Sequence, residues 1–233
     1  MRFSADGVAV IVHDETLDRL FGLPRRVSEL LATELTGIGV PTLVEALAAM
    51  PATTLIDLEL KEEPTDSLFT TLFTARGPEA DGVVVSSFYP GVLRTVEERA
   101  PSWSRWLNAE TAIEAEQAAT LGCDGLSVTI DLLNDANISR WREAGLEVAA
   151  WTLRGVEGVA WANDLRLTAL CAEGEGAKGR RPLARRGSSV RSSEREAARG
   201  ERALQVGHSP ACMGRGCQCG SSTPSQRGSR QCR

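Results

Sequence analysis

Leu55-Ile56-Asp57-Leu58-Glu59-Leu60 alternates apolar residues with two acids, and Ser67–Ala75, with helical spacing, and a second apolar run, Val83–Val85, follow it. Alternation with a period of two marks a strand, and apolar residues recurring every three or four positions mark a helix. A strand, a helix and another strand in that order form a βαβ unit, because parallel neighbours need a crossover connection of a dozen residues or more. Moving outward, the pattern repeats. Trp103–Leu107, Leu126–Val128, Leu146–Trp151 and Leu167–Cys171 read as further strands, and Gly91–Ala100, Thr111–Leu121, Asp135–Ala144 and Val156–Leu165 as the helices between them. Upstream, Thr42–Met50 places Leu43, Ala46, Leu47 and Met50 on one helical face. The class is therefore α/β with a parallel sheet. Val8–Val12 is also apolar but runs straight into a polar loop, which leaves six strand units from Leu55 onward.

The charge divides the chain in two. Residues 1–177 carry 13 basic and 28 acidic side chains, and residues 178–233 carry 13 basic and 3 acidic. The second segment is rich in Arg, Gly and Ser with hardly any apolar periodicity, so it is expected to be a disordered basic tail rather than part of a core. A tail of this kind can attract phosphate charge, but it lacks aromatic residues for base stacking, and no specific nucleic-acid partner is expected. The abrupt change of composition also fits translation in another frame. Cys123 and Cys171 are the only cysteines of the first segment, against four in the tail. A disulfide-built fold is not expected, and Cys212, Cys217, Cys219 and His208 match no ordinary zinc spacing. No stretch reaches the ~18 consecutive apolar residues of a membrane span, and a cytoplasmic protein is expected.

Of the two histidines, His208 falls in the tail, so His13 is the candidate catalytic imidazole. It stands where Val8–Val12 opens into the polar loop His13-Asp14-Glu15-Thr16-Leu17-Asp18-Arg19. A strand-end histidine taken alone is more often a hydrogen-bonding loop residue than a catalyst. Glu59 and Lys61, two residues apart, share one face of the strand at 55–60. Charges on the inner face of a parallel sheet are costly unless they are paired or bind a metal or a phosphate, which favours a functional reading. Asp57 lies on the same face and is given no role. Ser86 and Ser87 have no histidine in a nucleophile arrangement and read as hydrogen-bonding residues at a strand end.

The run from Ser4 to Arg19, with its Asp6-Gly7 turn, apolar strand and His-Asp-x-x-Leu-x-Arg loop, resembles the signature of the glycerophosphodiester phosphodiesterase family. Further matches follow in the family's order: Val40-Pro41-Thr42-Leu43 with Glu45, Leu58-Glu59-Leu60-Lys61, Ser86-Ser87-Phe88, Gly122-Cys123-Asp124-Gly125 and Ala150-Trp151-Thr152-Leu153. The resemblance spans about residues 2–175. It implies a (β/α)8 TIM-barrel-type fold that hydrolyses a small-molecule glycerophosphodiester to glycerol 3-phosphate and an alcohol, using a divalent metal, Mg²⁺ or Ca²⁺. On this likeness His13 is the general acid, a task suited to an imidazole because it exchanges protons near neutral pH. Glu59 becomes a metal ligand, consistent with the oxygen preference of Mg²⁺ and Ca²⁺. Lys61 would neutralise phosphate charge, and Trp151 would line the substrate pocket, although core packing accounts for a tryptophan there equally well.

Six strand units fall two short of a closed barrel. In the family two strands come first, carrying a His-Arg-Gly motif and a Glu-x-Asp-Val motif, and Met1 matches the valine of the second. The chain is therefore expected to be a partial barrel over residues 1–177 that lacks the partner histidine and two carboxylates, with impaired activity and exposed edges at Leu55–Leu60 and Leu167–Cys171. The alternatives are an inactive remnant or a non-enzymatic binding protein acting through its basic tail. Cleavage of a phosphoinositide or sphingolipid headgroup would use the same histidine and carboxylate logic.

Overall fold

The apolar alternation at 55–60 becomes the first strand of a six-stranded parallel sheet. The structure, a computed structural model, describes residues 1–155, 158, 161–162 and 164–174. The tail expected over 178–233 lies outside the described residues, as does much of the helix expected over Val156–Leu165.

Before the sheet comes a lobe of short elements. Strand β1 (Arg2–Phe3) pairs antiparallel with β2 (Ala9–Val10), the connection turning at Gly7 with φ 75°. Strands β3 (Thr16–Leu17) and β4 (Leu23–Arg26) form a second antiparallel pair around helix α1 (Asp18–Phe21). The apolar run at 8–12 thus forms a hairpin arm and no part of the main sheet, in keeping with its omission from the strand count. Helices α2 (Ala32–Gly37) and α3 (Leu43–Ala48) complete the lobe. At the start of α3, Thr42 Oγ1 accepts from Glu45 N at 3.2 Å and Glu45 Oε2 accepts from Thr42 N at 2.8 Å, a capping box that satisfies two otherwise orphaned donors. Val10, Val12, Leu17, Val27, Leu30, Leu35 and Val40 form the lobe's own small core.

The main sheet runs in the order β10-β9-β8-β7-β6-β5, with every neighbouring pair parallel. Its members are β5 (Ile56–Glu59), β6 (Val83–Ser87), β7 (Ser104–Ala109), β8 (Gly125–Thr129), β9 (Glu147–Leu153) and β10 (Ala169–Ala172). Each corresponds to one of the six sequence runs, with no boundary shifted by more than two residues. Helices α4 (Asp66–Arg76) and α5 (Pro90–Arg99) make the first two crossovers. Pro90 opens α5 at a position where its missing N–H costs nothing, and Val92, Leu93 and Val96 are its buried face. The helix expected over Thr111–Leu121 divides into α6 (Ala112–Ala115) and α7 (Gln117–Thr120). The break is a single residue, Glu116, whose backbone stays right-handed helical at φ −65° and ψ −18°. Helix α8 (Asp135–Glu143) starts at Asn134, whose side chain accepts from Asn137 N at 2.9 Å.

The six strands curl into an open part of a (β/α)8 barrel. Outward side chains meet the helices: Leu58, Leu60, Val83 and Val85 pack with Leu68, Leu72, Val92 and Val96. Leu107, Leu126, Val128 and Val148 do the same with Ala115, Ala118, Ile138 and Trp141. Each fully buried leucine or valine of this layer contributes about 1.5–3 kcal/mol relative to exposure. On the inner side Trp106, 3% exposed, packs with Val84, Ala149 and Ala169. Gly125 makes room for it, since a Cβ there would lie 2.4 Å from the indole.

The edge of β5 is partly occupied. Met1 donates its terminal amine to Glu59 O at 2.6 Å and accepts from Lys61 N at 3.2 Å, so the chain's first residue pairs along that edge. Burial lowers the pKa of this amine to about 6. No helix among the described residues is long and apolar enough to cross a membrane.

Candidate active site

Parallel strands place all their carboxyl ends on one side, which is where barrel proteins gather chemical groups. Glu59 closes β5, Lys61 follows it by two residues, Phe88 follows β6, and Trp151 lies in the second half of β9. The alternation that sequence reading assigned to Glu59 and Lys61 brings their side chains together, with Lys61 Nζ donating to Glu59 Oε1 at 2.5 Å. Their side chains are 13% and 27% exposed for Lys61 and Glu59, so the pair is sheltered but open to a ligand. Lys61 Nζ also stands 5.4 Å from the centre of the Phe88 ring, within cation–π range. Phe88 in turn meets Trp151 edge to face, with ring centres 5.7 Å apart. Three of the four residues singled out by sequence are thus joined through one that was quoted in a motif but given no role, Phe88.

Deeper on the inner face, Asp57 Oδ1 accepts from Ser86 Oγ at 2.6 Å, and Asn108 Nδ2 approaches Ser86 Oγ at 3.4 Å. Asn108 Oδ1 is buried and has no partner among the described residues. Burial raises the Asp57 carboxyl to a pKa of about 6, and the Ser86 hydrogen bond only partly offsets this. Asp57 lines a cavity of about 20 Å³ with Trp106, Ser127, Ala169 and Cys171, among others, space for roughly one water. Asp57 therefore does face the interior, and Ser86 spends its hydroxyl on it. Ser87 Oγ donates to Leu60 O at 2.8 Å, so both serines serve as strand-end hydrogen-bonding groups.

His13 arrives from the other region, the loop after β2. Its ring pairs with Asp14, Nδ1 to Oδ1 at 2.9 Å, and is 53% exposed. Arg2 fastens this loop to the mouth of the sheet. Its Nε donates to His13 O at 3.1 Å while Nη1 donates to Glu62 Oε2 at 3.0 Å, and Glu62 Oε1 accepts from Phe3 N at 2.7 Å. Glu62 is the residue after Lys61, so a short polar chain links the histidine loop to the Glu59–Lys61 pair. Sequence reading missed Arg2 and Glu62, because an ion pair sixty residues apart carries no local signal.

Ca²⁺ takes six to eight oxygen ligands, and Mg²⁺ takes six, several of them usually water beside one or two carboxylates. Glu59 is already paired with Lys61, and Asp57 with Ser86. Among the described residues no group of three or more His, Cys, Asp or Glu side chains converges where an ion could sit. The described residues alone do not form a divalent-metal site.

The fold and the sequence both have relatives. A protein from Silicibacter pomeroyi, described provisionally as a glycerophosphoryl diester phosphodiesterase, shares 18% identity at a TM-score of 0.66, over 75% of this chain and 78% of that one. A glycerophosphodiester phosphodiesterase from Thermotoga maritima shares 22% at a TM-score of 0.61, over 73% and 78%. A phosphodiesterase from Oleispira antarctica, in complex with the product sn-glycerol-3-phosphate, shares 22% at 0.59, over 73% and 77%. No curated protein matches the chain. The glycerophosphoryl diester phosphodiesterase family profile matches residues 1–173, and the chain belongs to that family.

Proposed function

We propose that the chain hydrolyses glycerophosphodiesters in the cytoplasm, releasing glycerol 3-phosphate and an alcohol, at a rate limited by an incomplete set of catalytic groups. The observation that carries this reading is the contiguous Glu59, Lys61, Phe88 and Trp151 cluster at the carboxyl ends of the strands. The product bound to the Oleispira antarctica relative supports the substrate class. Lys61 meets phosphate charge, and a fixed ammonium in a sheltered site stabilises developing negative charge more than it would in water. Phe88 and Trp151 form an apolar wall beside it, suited to the carbon face of the glycerol unit. His13 passes a proton to the departing alcohol oxygen, a task that typically contributes 10²–10⁴ in rate.

For the metal, the reading assigns Glu59 alone as an oxygen ligand of Mg²⁺ or Ca²⁺. A single carboxylate holds such ions weakly, at about 1 mM or above. Calorimetric titration with Ca²⁺ should show no tighter binding.

Release of glycerol 3-phosphate from glycerophosphocholine, measured with millimolar Mg²⁺ or Ca²⁺, tests the proposal. His13→Ala should lower it by about 10²–10⁴-fold, and Lys61→Met should raise KM as well as lower kcat. Release unchanged in His13→Ala would remove that residue from the chemistry, and no release above background in the wild type would remove the function.

A further inference from the structure

We propose that Asp14, gripped by Arg19, is the positioning residue of His13: it holds the imidazole as the Nδ1–H tautomer, so that Nε2 is the nitrogen that takes up and gives away the transferred proton. The inference rests on the reading of His13 as the proton donor, and its support is geometric.

Asp14 divides its two oxygens between two partners. Oδ1 lies 2.9 Å from His13 Nδ1, and Oδ2 accepts from Arg19 Nε at 2.6 Å. An ionised carboxylate only accepts hydrogen bonds, so the nitrogen facing it must bear the hydrogen. Asp14 is ionised throughout the neutral range, because hydrogen bonds from Arg19 and then from His13 lower its pKa to about 2. Arg19 has one further effect. With Oδ2 held, the carboxylate cannot rotate away from the ring without breaking a charge-assisted bond, which is about twice as strong as a neutral one.

The main chain is held as well. Arg2 bonds the carbonyl of His13 and the carboxylate of Glu62, which fixes the base of the ring relative to Lys61. Among the described residues His13 Nε2 has no hydrogen-bond partner. One nitrogen is therefore fixed and the other open, the division of labour by which a carboxylate orients an acid–base imidazole. Asp14 and Arg19 touch no reacting atom in this scheme and act through His13.

The test reads the tautomer directly. In ¹⁵N-labelled protein carrying His208→Gln, the remaining imidazole can be followed by long-range ¹H–¹⁵N correlation at a pH where the ring is neutral. The expected spectrum has hydrogen on Nδ1 and none on Nε2, and Asp14→Ala should shift the ring toward the Nε2–H form with the backbone amide spectrum otherwise preserved. Arg19→Ala should give a mixture, and Arg19→Lys should restore the wild-type tautomer in part. On the activity side, Asp14→Ala should lower kcat by about 10²-fold with KM nearly unchanged, the cost of a misplaced reacting group. An Nε2–H ring in the Asp14-containing protein overturns the proposal, and this measurement needs no variant at Asp14 to fold. So does an Nδ1–H ring that survives Asp14→Ala. Because the tautomer is read without turnover, an Nδ1–H ring in a chain that releases no glycerol 3-phosphate would refute the hydrolase reading and leave the positioning intact. Robust release with an Nε2–H ring would do the reverse.

Discussion

Asp57 and Asp14 are the same residue type held in opposite ways, and they characterise the two regions to which they belong. Asp57 sits on the inner face of the parallel sheet, where burial raises its pKa to about 6. Asp14 sits in the lobe of short hairpins, where hydrogen bonds from Arg19 and His13 lower its pKa to about 2. The sheet fixes its groups by packing, with strands in register and Trp106 filled in behind them. The lobe fixes its groups by charge pairing among exposed and half-buried side chains: Arg19 with Asp14, Arg26 with Glu15, Arg2 with Glu62. The proposed site, assembled across the two regions, would take position from one and proton-transfer geometry from the other.

The largest effects should come from breaking the packed region. Trp106→Ala removes the main filling of the sheet's inner face and should cost about 3–5 kcal/mol in urea unfolding, the usual range for a buried aromatic. Leu20→Ala in the lobe, at a side chain 54% exposed, should cost less than about 0.5 kcal/mol. Comparable losses at the two positions would mean that Leu20 is packed in solution as tightly as Trp106. Next in size is Gly125→Ala, which adds one methyl group 2.4 Å from the Trp106 ring. Overpacking of that kind typically costs about 1–3 kcal/mol, and Gly125→Ala in a Trp106→Leu background should cost distinctly less, because the two sites share the same space.

The same division explains what could be read from the sequence. All six strands of the sheet were legible, since each is an apolar run with a helix between it and the next. The Glu59–Lys61 pair was legible too, because residues two apart on a strand must share a face. The Phe88–Trp151 contact was not: its partners come from β6 and β9, and only the curl of the sheet brings them together. Asp57 was visibly on the inner face, but its bond to Ser86 depends on the register that sets Asp57 beside Val84 and Glu59 beside Ser86. In the lobe the motif located His13, whereas the Arg2–Glu62 link that ties its loop to the sheet spans sixty residues without any periodic signal. The interruption at Glu116 was also invisible, because its backbone angles remain helical and nothing in its residue type breaks a helix.

The smallest effects, and the sharpest contrast, lie in the pH dependence of stability. A group bound more tightly to its proton in the folded state than in the unfolded state makes stability fall as pH rises. Asp57 is such a group: from its unfolded value of 3.8 up to about 6 the folded chain holds the extra proton, so stability should decline across that window and stay lower above it. Asp57→Asn keeps a partner for Ser86, removes the charge, and should abolish the decline, leaving the variant more stable than the wild type at pH 7. Asp14 has the opposite sign. Its folded pKa lies below 3.8, so its contribution is present above pH 4 and is lost as pH falls through about 2. Its partners His13 and Arg19 are exposed, and solvent screening keeps this contribution small. Urea midpoints measured at pH 2.5, 4 and 7 should therefore separate the variants: Asp57→Asn should change the interval from 4 to 7, and Asp14→Ala only the interval from 2.5 to 4. An Asp14→Ala effect confined to the upper interval would mean that Asp14 gains its charge above pH 4, and the lobe would then hold its histidine by something other than a permanent carboxylate.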